Sequence, residues 1–276
     1  MTKKKPFLKW AGNKYHCLEP ILSALPKANR LIEPFAGSGA IFLNTDYPNY
    51  LLAEKNPDLV ALFTYLKQEG EHFINDCQTL FSEKNNSENQ YYALREAFNR
   101  STCARERALL FLYLNRHGYN GLCRYNLKGG YNVPFGYYKK PYFPRQELLY
   151  FYQKSHHIEI IYSDFRDTFA RAVPGDLIYC DPPYAPLMQT SNFSTYISQK
   201  FGEKEQILLA QLANEYAENG ITVLISNHDT EFTRQHYQKA TITSFSVKRM
   251  ISCQATNRMP AKELLAIFSQ ARHQNH

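Results

Sequence analysis

The fold is decided by the segment Leu31-Ile32-Glu33-Pro34-Phe35-Ala36-Gly37-Ser38-Gly39-Ala40-Ile41-Phe42-Leu43. Residues 31–35 form a short apolar run that stops at a turn sequence, which predicts a buried strand. Residues 36–39 predict a turn, and the apolar residues from Ala40 onward predict a helix or further apolar packing. A strand that passes through a glycine-containing turn towards a helix is typical of α/β folds, so we predict this class.

The same alternation of strands and helices recurs on both sides of a long helical stretch. Strands are predicted at residues 50–53, 158–162, 176–180 and 221–225, and an amphipathic helix at 204–216. Between residue 58 and about residue 117 the patterns are helical throughout. Because strands that alternate with helices form mostly parallel sheets, we predict a Rossmann-like core with such a sheet, interrupted by a helical insert.

The insert carries two further signals. Residues 108–114 are an apolar run too long for a surface helix, so this helix is expected to run through the centre of the insert and to end at Gly118. Beyond it, Gly129 and Gly130 lie between two short alternating segments. Such a pair predicts a β-hairpin, which we place near residues 119–136.

The composition is that of a reduced globular protein. The 276 residues, 44% apolar and 14% aromatic, suffice for a packed core. The six cysteines show neither paired spacing nor a nearby His at metal-ligand spacing, which argues for free thiols and no metal site. We find no secretory signal and no stretch approaching the roughly 18 apolar residues of a membrane span. A cytoplasmic protein without a membrane partner is expected.

The charge distribution is more informative than the net charge of +7. Asp and Glu are absent from residues 107–146. The basic residues in that window are Arg107, Arg116, Arg124, Lys128, Lys139, Lys140 and Arg145. A solvated surface usually mixes both signs, so an acid-free stretch of this length favours contact with a phosphate backbone.

The glycine-containing turn and an acid on the next strand together favour a nucleoside ligand. Gly37 and Gly39 would let a ligand lie against the backbone, although a plain turn also explains an isolated G-x-G. Glu54 ends the next predicted strand, where α/β folds hydrogen-bond a ribose diol; the alternative is a helix-capping surface acid. The third glycine of the dinucleotide fingerprint is missing, which disfavours a nicotinamide dehydrogenase.

The sequence Asp181-Pro182-Pro183-Tyr184 follows directly after the predicted strand 176–180. Its carboxylate would therefore lie at the carboxyl edge of the sheet, where ligands bind in such folds. Pro183 lacks an N–H and Pro182 is stiff, so the Pro182 carbonyl is held out of regular pairing. Two acceptors beside an aromatic ring suit an aromatic amine, whose lone pair they would aim at a methyl sulfonium. The alternative is a proline-rich turn capped by Asp181.

Three motifs, in this order, resemble the Dam family of adenine-N6 DNA methyltransferases: Leu8-Lys9-Trp10-Ala11-Gly12-Asn13-Lys14, residues 33–39 and residues 181–184. The resemblance covers nearly the whole chain. It implies methyl transfer from S-adenosylmethionine to adenine N6 in double-stranded DNA, within GATC, after the base flips out of the duplex. The implied catalytic residues are Asp181, Pro182 and Tyr184. The implied cofactor-binding residues are Trp10, Lys14, Glu33, Pro34, Phe35, Ala36, Gly37, Ser38, Gly39, Glu54, Asp164, Phe165 and Asp181.

Residues 115–126 resemble the part of this family that recognises GATC. The implied DNA-binding residues, with two lysines of the acid-free window, are Lys9, Arg95, Arg116, Tyr119, Asn120, Leu122, Arg124, Asn126, Pro134, Lys139 and Lys140. Among them Tyr119 would insert into the base stack and Arg124 would contact guanine. Leu122 would meet a thymine methyl group.

The order of these motifs also implies the domain division. We predict a catalytic core at residues 1–56 and 145–270, a target-recognition insert at 57–144, and a tail at 271–276. Three residues depart from the family pattern: Asn13 replaces glycine, Glu54 replaces a common Asp, and His117 stands where tyrosine is common.

Two alternatives stay open. One is a catalytically inactive DNA-binding protein on a methyltransferase fold. The other is a methyltransferase of another amine, such as cytosine N4, an adenine in RNA or a glutamine amide. The resemblance does not decide whether the enzyme acts alone, in processes such as DNA replication and mismatch repair, or within a restriction–modification system.

Overall fold

The computed structural model describes residues 2–184, 201–247 and 261–270. The predicted tail at 271–276, and residues 185–200 and 248–260 of the predicted core, lie outside the described residues. Seven strands form one sheet in the order β3-β2-β1-β4-β5-β7-β6. The strands are β1 Arg30–Glu33, β2 Asn49–Glu54, β3 Ile158–Tyr162, β4 Asp176–Cys180, β5 Thr222–His228, β6 Thr241–Val247 and β7 Ala261–Phe268.

The helices in the described part of the chain connect these strands. They are α1 Leu18–Ala24, α2 Ala40–Leu43, α3 Pro57–Glu69, α4 Glu71–Thr79, α5 Glu88–Arg100, α6 Ala104–His117, α7 Arg145–Lys154, α8 Phe165–Phe169, α9 Glu203–Glu218 and α10 Glu231–His236. Short 3-10 turns lie at Lys14–Cys17, Glu83–Asn85, Tyr119–Gly121 and Ser155–His157.

Strand pairing confirms the predicted α/β class with a mostly parallel sheet. β4 pairs in parallel with β1 and with β5, so that Cys180 lies beside Ile225. β7 is antiparallel to both β5 and β6. All five strands expected from the sequence are present, whereas β6 and β7 were not predicted. Their pairs are antiparallel, and β6 alternates polar with apolar residues instead of forming the apolar run that identified the central strands.

The chain divides into two compact units. The first comprises Met1–Tyr15, Ala36–Asp46 and Leu52–Ser163, and the second comprises His16–Phe35, Tyr47–Leu51 and Asp164–His276. The predicted insert at 57–144 lies wholly within the first unit.

Local signals explain where α3 begins and ends. The Asn56 side chain accepts hydrogen bonds from the backbone N–H groups of Asp58 and Leu59, and Pro57 occupies the first turn, where its missing N–H costs nothing. Gly70 follows the last residue. The capping residue is therefore Asn56, although the sequence pointed to Asp58, whose carboxylate is buried.

Helix α6 forms the apolar centre of the first unit. It is buried continuously from Leu110 to His117 and packs against α3, α4 and α5. Each fully buried large apolar side chain contributes roughly 1.5–3 kcal/mol to folding. The helix ends before Gly118, as predicted, and packing requires a glycine at that position. A Cβ atom there would lie 2.6 Å from the Leu114 carbonyl oxygen and 2.9 Å from the Tyr91 hydroxyl.

After α6 the chain reverses direction without forming regular strands. Two isolated antiparallel bridges join Gly118 to Phe135 and Tyr125 to Tyr131. Between the second pair, the Asn126 N–H donates to the Gly130 carbonyl at 2.8 Å. The N–H groups of Tyr119, Asn132 and Gly136 also donate across the segment, so an irregular antiparallel reversal stands where the sequence indicated a hairpin.

His117 makes the stability of the first unit dependent on pH. The ring is 1% exposed, stacks on Tyr113, and hydrogen-bonds through Nδ1 to the Tyr113 carbonyl. Burial lowers the pKa of His117 from 6.5 to about 4. Above pH 6.5 the imidazole is neutral in both folded and unfolded chains. Between pH 6.5 and pH 4 only the unfolded chain takes up the proton, so stability falls as the pH falls.

We expect this protonation to remove up to about 3 kcal/mol of stability by pH 4. The variant His117→Phe keeps a flat ring but cannot titrate. Urea unfolding at pH 7 and pH 4.5 should show a loss smaller by about 2 kcal/mol in His117→Phe than in the native chain. Equal losses in the two proteins would exclude His117 as the source.

Candidate functional site

The turn after β1 is held by a hydrogen bond to the Glu54 carboxylate. The N–H of Gly37 donates to Glu54 Oε2 at 3.2 Å, and the N–H groups of Lys55 and Asn56 donate to Oε1 at 2.9 and 3.1 Å. Gly37 and Gly39 have φ values of +49° and +71°, a region that favours glycine. The predicted turn at 36–39 is therefore present, and Glu54 is built into it.

Burial raises the pKa of Glu54, while hydrogen bonds from the Gly37, Asn56 and Lys55 amides lower it. A carboxylate offers about four lone-pair sites, and three backbone donors use three of them. Capacity for one further donor is left.

Trp10 and Lys14 belong to the same unit. A Cβ atom on Gly37 would lie 3.0 Å from the Trp10 indole nitrogen, so the turn and the indole are in close contact. Lys14 is buried and donates from Nζ to the Gly12 carbonyl at 3.3 Å. Asn13, which replaces a glycine of the family pattern, is not left-handed: among described residues other than glycine, positive φ values occur at Asn120 and Tyr137. The left-handed residue of this turn is Gly12, and Asn13 instead accepts a hydrogen bond from the Tyr15 N–H.

In the second unit, the residues around β1 form an aromatic cluster. Phe35 stacks on Phe165 at 5.6 Å, and Phe201 lies edge-on to both rings. Glu33 is buried at the end of β1, next in sequence to Pro34. Asp164 caps α8 by accepting the Arg166 N–H, and it also pairs with the Arg166 guanidinium at 3.0 Å.

Asp181 is the first residue after β4, as the sequence predicted. The hydroxyl of Ser226, a fully buried residue of β5, donates to Asp181 Oδ1 at 3.1 Å. The same Ser226 oxygen lies 3.0 Å from the Tyr179 hydroxyl. The carboxylate therefore stands at the carboxyl end of a buried strand, held by the neighbouring parallel strand.

Two contacts fix the Tyr184 side chain, one at its hydroxyl and one at its ring. Its hydroxyl donates to Glu263 Oε2 on β7 at 3.1 Å, and its ring meets the His228 ring edge-on at 4.5 Å between centroids. Burial raises the pKa of Tyr184 well above its ordinary value, so the hydroxyl stays protonated and remains a donor. Between Asp181 and Tyr184, the Pro183 carbonyl accepts from Gln206 Nε2 at 2.7 Å.

The residues that support this motif were not predicted from the sequence. The predicted strand at 221–225 stopped one residue before Ser226, although β5 continues to His228. Glu263 lies on β7, which was not predicted. A polar residue at the end of a buried strand was a signal that could have identified Ser226. For Glu263, the pattern held no comparable signal.

Besides Asn126, seven of the residues predicted to bind DNA are exposed on the first unit. They are Tyr119, Asn120, Leu122, Arg124, Pro134, Lys139 and Lys140. Arg124 is already oriented: its Nε and Nη2 donate to the side-chain and main-chain oxygens of Asn132 at 2.8 and 3.0 Å. Asn120 has a left-handed backbone with φ of +52°, which asparagine tolerates better than most residues.

The remaining predicted DNA-binding residues hold the segment together. Asn126 is exposed, but its side-chain oxygen accepts the N–H groups of residues 128 and 130. Arg95 donates to the Val133 carbonyl at 2.9 Å. Arg116 is buried and donates to the carbonyls of Tyr142 and Phe7.

Lys9 lies over the Tyr138 ring, with Nζ 3.8 Å from its centroid. Burial, and secondarily the charge of Arg116, lowers the pKa of Lys9 to about 8. The Asn115 side chain clamps the backbone of Lys9, donating to its carbonyl and accepting its N–H, and also donates to the Gly121 carbonyl.

A buried ion pair fixes the segment to helix α3. Arg107 donates from Nε and Nη2 to the two carboxylate oxygens of Asp58 at 2.8 and 2.9 Å. The Tyr125 hydroxyl donates to Asp58 Oδ2 at 2.6 Å, and Asn56 Nδ2 contacts Cys123 Sγ at 3.4 Å. Glu54, two residues before Asn56, accepts the Gly37 N–H. The glycine turn and residues 115–136, here called the recognition segment, are therefore both attached to the short stretch from Glu54 to Asp58.

The described part of the chain contains no cluster of three or more His, Cys, Asp or Glu side chains able to hold a metal ion. No helix there has the length and apolar character needed to cross a membrane.

The profile of the D12 class N6 adenine-specific DNA methyltransferases matches residues 10–251, which include both the glycine turn and the Asp181 motif. The chain belongs to this family. The predicted adenine-specific DNA methyltransferase is thereby confirmed as the class of enzyme.

Three relatives that match this methyltransferase over almost its full length are each named DNA adenine methylase. The protein of Serratia marcescens is 50% identical over 269 residues, which are 97% of this chain and 100% of the relative. That of Vibrio cholerae serotype O1 is 49% identical over 270 residues, 98% of each chain. That of Escherichia coli strain K12 is 47% identical over 268 residues, 97% of this chain and 96% of the relative.

The contact between Gly37 and Trp10 in this methyltransferase can be tested optically, because Trp10 is its single tryptophan. A Cβ atom on Gly37 would crowd the indole, whereas one on Gly220, also at positive φ, would meet nothing within 4 Å. Both Gly37→Ala and Gly220→Ala should lose about 1–2 kcal/mol of stability from the left-handed backbone. Only Gly37→Ala should change the tryptophan emission spectrum of the folded protein. Identical spectra in both variants would contradict the contact.

Proposed function

We propose that this methyltransferase transfers the methyl group of S-adenosylmethionine to N6 of adenine within GATC in double-stranded DNA. One observation carries the residue assignment: Asp181 directly follows buried strand β4, its Oδ1 is held by Ser226, and the ring of Tyr184 is fixed close by in the chain. A carboxylate and an immobilised aromatic ring are the two groups that the orientation of an adenine amine requires.

S-Adenosylmethionine would supply an electrophilic methyl group on a sulfonium. In the first unit, Trp10, Lys14, residues 36–39 and Glu54 are proposed to bind it. The donor set supports this assignment, because Glu54 retains capacity for one ribose hydroxyl. In the second unit the proposed cofactor contacts are Glu33, Pro34, Phe35, Asp164, Phe165 and Asp181.

The proposed chemistry is orientation of a weak nucleophile. The adenine amine lone pair is delocalised into the ring. Hydrogen bonds from its two N–H groups to the Asp181 carboxylate and the Pro182 carbonyl would favour a pyramidal nitrogen, with the lone pair aimed at the methyl group. The base would stack on Tyr184, whose ring is held by Glu263 and His228.

Target recognition is assigned to the exposed face of the insert at 57–144. It offers Arg and Lys side chains in an acid-free stretch, which suits the phosphate backbone. Tyr119 is half exposed and would fill the stack when adenine leaves it. Arg124 presents the fork that matches the O6 and N7 acceptors of guanine. The burial of Arg116 favours a supporting role over direct phosphate contact.

The alternatives give different products. A catalytically inactive DNA-binding protein would transfer no methyl group, and an enzyme for another amine would methylate cytosine, RNA or a peptide glutamine. Mapping the methylated base after reaction with mixed-sequence duplex separates these outcomes. A cytoplasmic location, with access to chromosomal DNA, belongs to the proposal.

We expect Asp181→Ala to lower the single-turnover rate of methyl transfer by roughly 100-fold or more, because the amine loses an orienting acceptor. Affinity for a GATC duplex should change little, since phosphate contacts elsewhere supply most of it. The measurement is transfer of labelled methyl groups under saturating enzyme, with duplex binding as the control. A rate near that of the native enzyme would refute the catalytic assignment.

Arg124→Ala should relax specificity more than it weakens binding, because a bidentate contact to guanine is worth about 1–3 kcal/mol of discrimination. Turnover is compared on GATC duplexes and on duplexes altered at single positions. The matched control is the double variant Lys139→Ala/Lys140→Ala, which should slow all duplexes alike. Its log–log salt slope should fall by about 0.9 for each phosphate that a lysine no longer neutralises. If Arg124→Ala slows every duplex by one common factor, Arg124 is a phosphate contact.

A further inference from the structure

We propose that Ser226 is a positioning residue for methyl transfer, fixing the carboxylate of Asp181 through a hydroxyl that is itself held by Tyr179. The inference rests on the proposed catalytic role of Asp181. It adds two hydrogen-bond donors, Tyr179 on β4 and Ser226 on β5, that lie outside the sequence motifs.

Strand register creates this contact. β4 and β5 are parallel, and Cys180 lies beside Ile225. The register therefore brings Asp181, the first residue after β4, beside Ser226, which lies within β5. Ser226 has no exposed surface, so its hydroxyl must find its partners within the protein.

The direction of the hydrogen bonds follows from counting protons. Ser226 Oγ has one hydrogen, and its possible acceptors include the Tyr179 hydroxyl at 3.0 Å, Asp181 Oδ1 at 3.1 Å and the Cys180 carbonyl at 3.4 Å. The carboxylate is the strongest of these acceptors because it carries charge, so it takes the hydrogen. The Tyr179 hydroxyl, 3.0 Å from Ser226 Oγ, then donates to Ser226. Burial raises the pKa of Tyr179 well above its ordinary value, which keeps that hydroxyl protonated.

The donor chain therefore runs from Tyr179 through Ser226 to Asp181. An aspartate carboxylate can rotate about two single bonds, and each unproductive rotamer would misdirect the amine. A buried donor on one carboxylate oxygen limits that rotation before substrate arrives, which places its benefit in the rate of the chemical step. Affinity for DNA, which depends on residues of the insert, should not depend on it.

The test compares Ser226→Ala with Ser226→Thr, which restores a hydroxyl, and with Tyr179→Phe, which removes the upstream donor. Single-turnover methyl transfer to a GATC duplex should fall about 10-fold in Ser226→Ala, the loss typical of a hydrogen bond to a charged group. It should recover most of the rate in Ser226→Thr and fall less in Tyr179→Phe. The dissociation constant for the duplex should stay within about 2-fold of the native value, because the DNA-binding residues are untouched.

A matched control is Ser155→Ala, the same change at another fully buried serine, whose hydroxyl donates to the Tyr152 carbonyl. It should leave the rate unchanged. A native rate in both Ser226→Ala and Tyr179→Phe would overturn the proposal. So would a rate loss in Ser226→Ala that Ser226→Thr does not recover, or one matched by weaker DNA binding. Asp181→Ala, measured alongside, isolates the underlying assignment: if it retains activity, the catalytic role of Asp181 fails first.

Discussion

The parallel pairing of β4 with β5 determines where the reactive carboxylate lies. Parallel strands present their carboxyl ends at one edge of a sheet, and the residue after each strand emerges there. Asp181 is that residue for β4, Ser226 lies beside it within β5, and β7, paired to the other side of β5, brings Glu263 to Tyr184. Orientation of the whole Asp181–Tyr184 motif thus depends on backbone register, which side-chain substitutions elsewhere do not easily alter.

The recognition segment of the first unit has an irregular backbone ladder, with two isolated bridges and no regular strand. Polar side chains reinforce that ladder. Asn115 joins Lys9 to Gly121, and Asp58 receives both Arg107 and Tyr125. Burying charges is costly unless every hydrogen bond is made, and removal of one partner of such a pair typically costs about 3–5 kcal/mol. The exposed surface of this segment is therefore supported by a paired polar interior.

The strands around the site could be predicted because their patterns are local. Apolar runs ending in Glu54 or Asp181 identify both the strand and the position of the acid. The contact of Tyr184 with Glu263 could not be predicted, since it joins residues 79 apart in sequence, although β7 does contain an apolar run at residues 264–268. Arg116 shows what residue type does not reveal: its guanidinium is buried and donates to backbone carbonyls, which is a property of the fold. Residue type indicated the chemistry available, and tertiary packing decided its use.

Crowding around two glycines restricts which substitutions the recognition segment can accept. Surface loops ordinarily vary freely among related proteins. A Cβ atom on Gly121, however, would lie 2.2 Å from the Lys9 side chain, and one on Gly136 would lie 2.7 Å from the His117 carbonyl oxygen. Neither position has space for even a methyl group. Substitution at these two glycines is therefore tolerated as poorly as in a packed core. The exposed side chains of the segment remain open to change, so they can evolve on a fixed backbone.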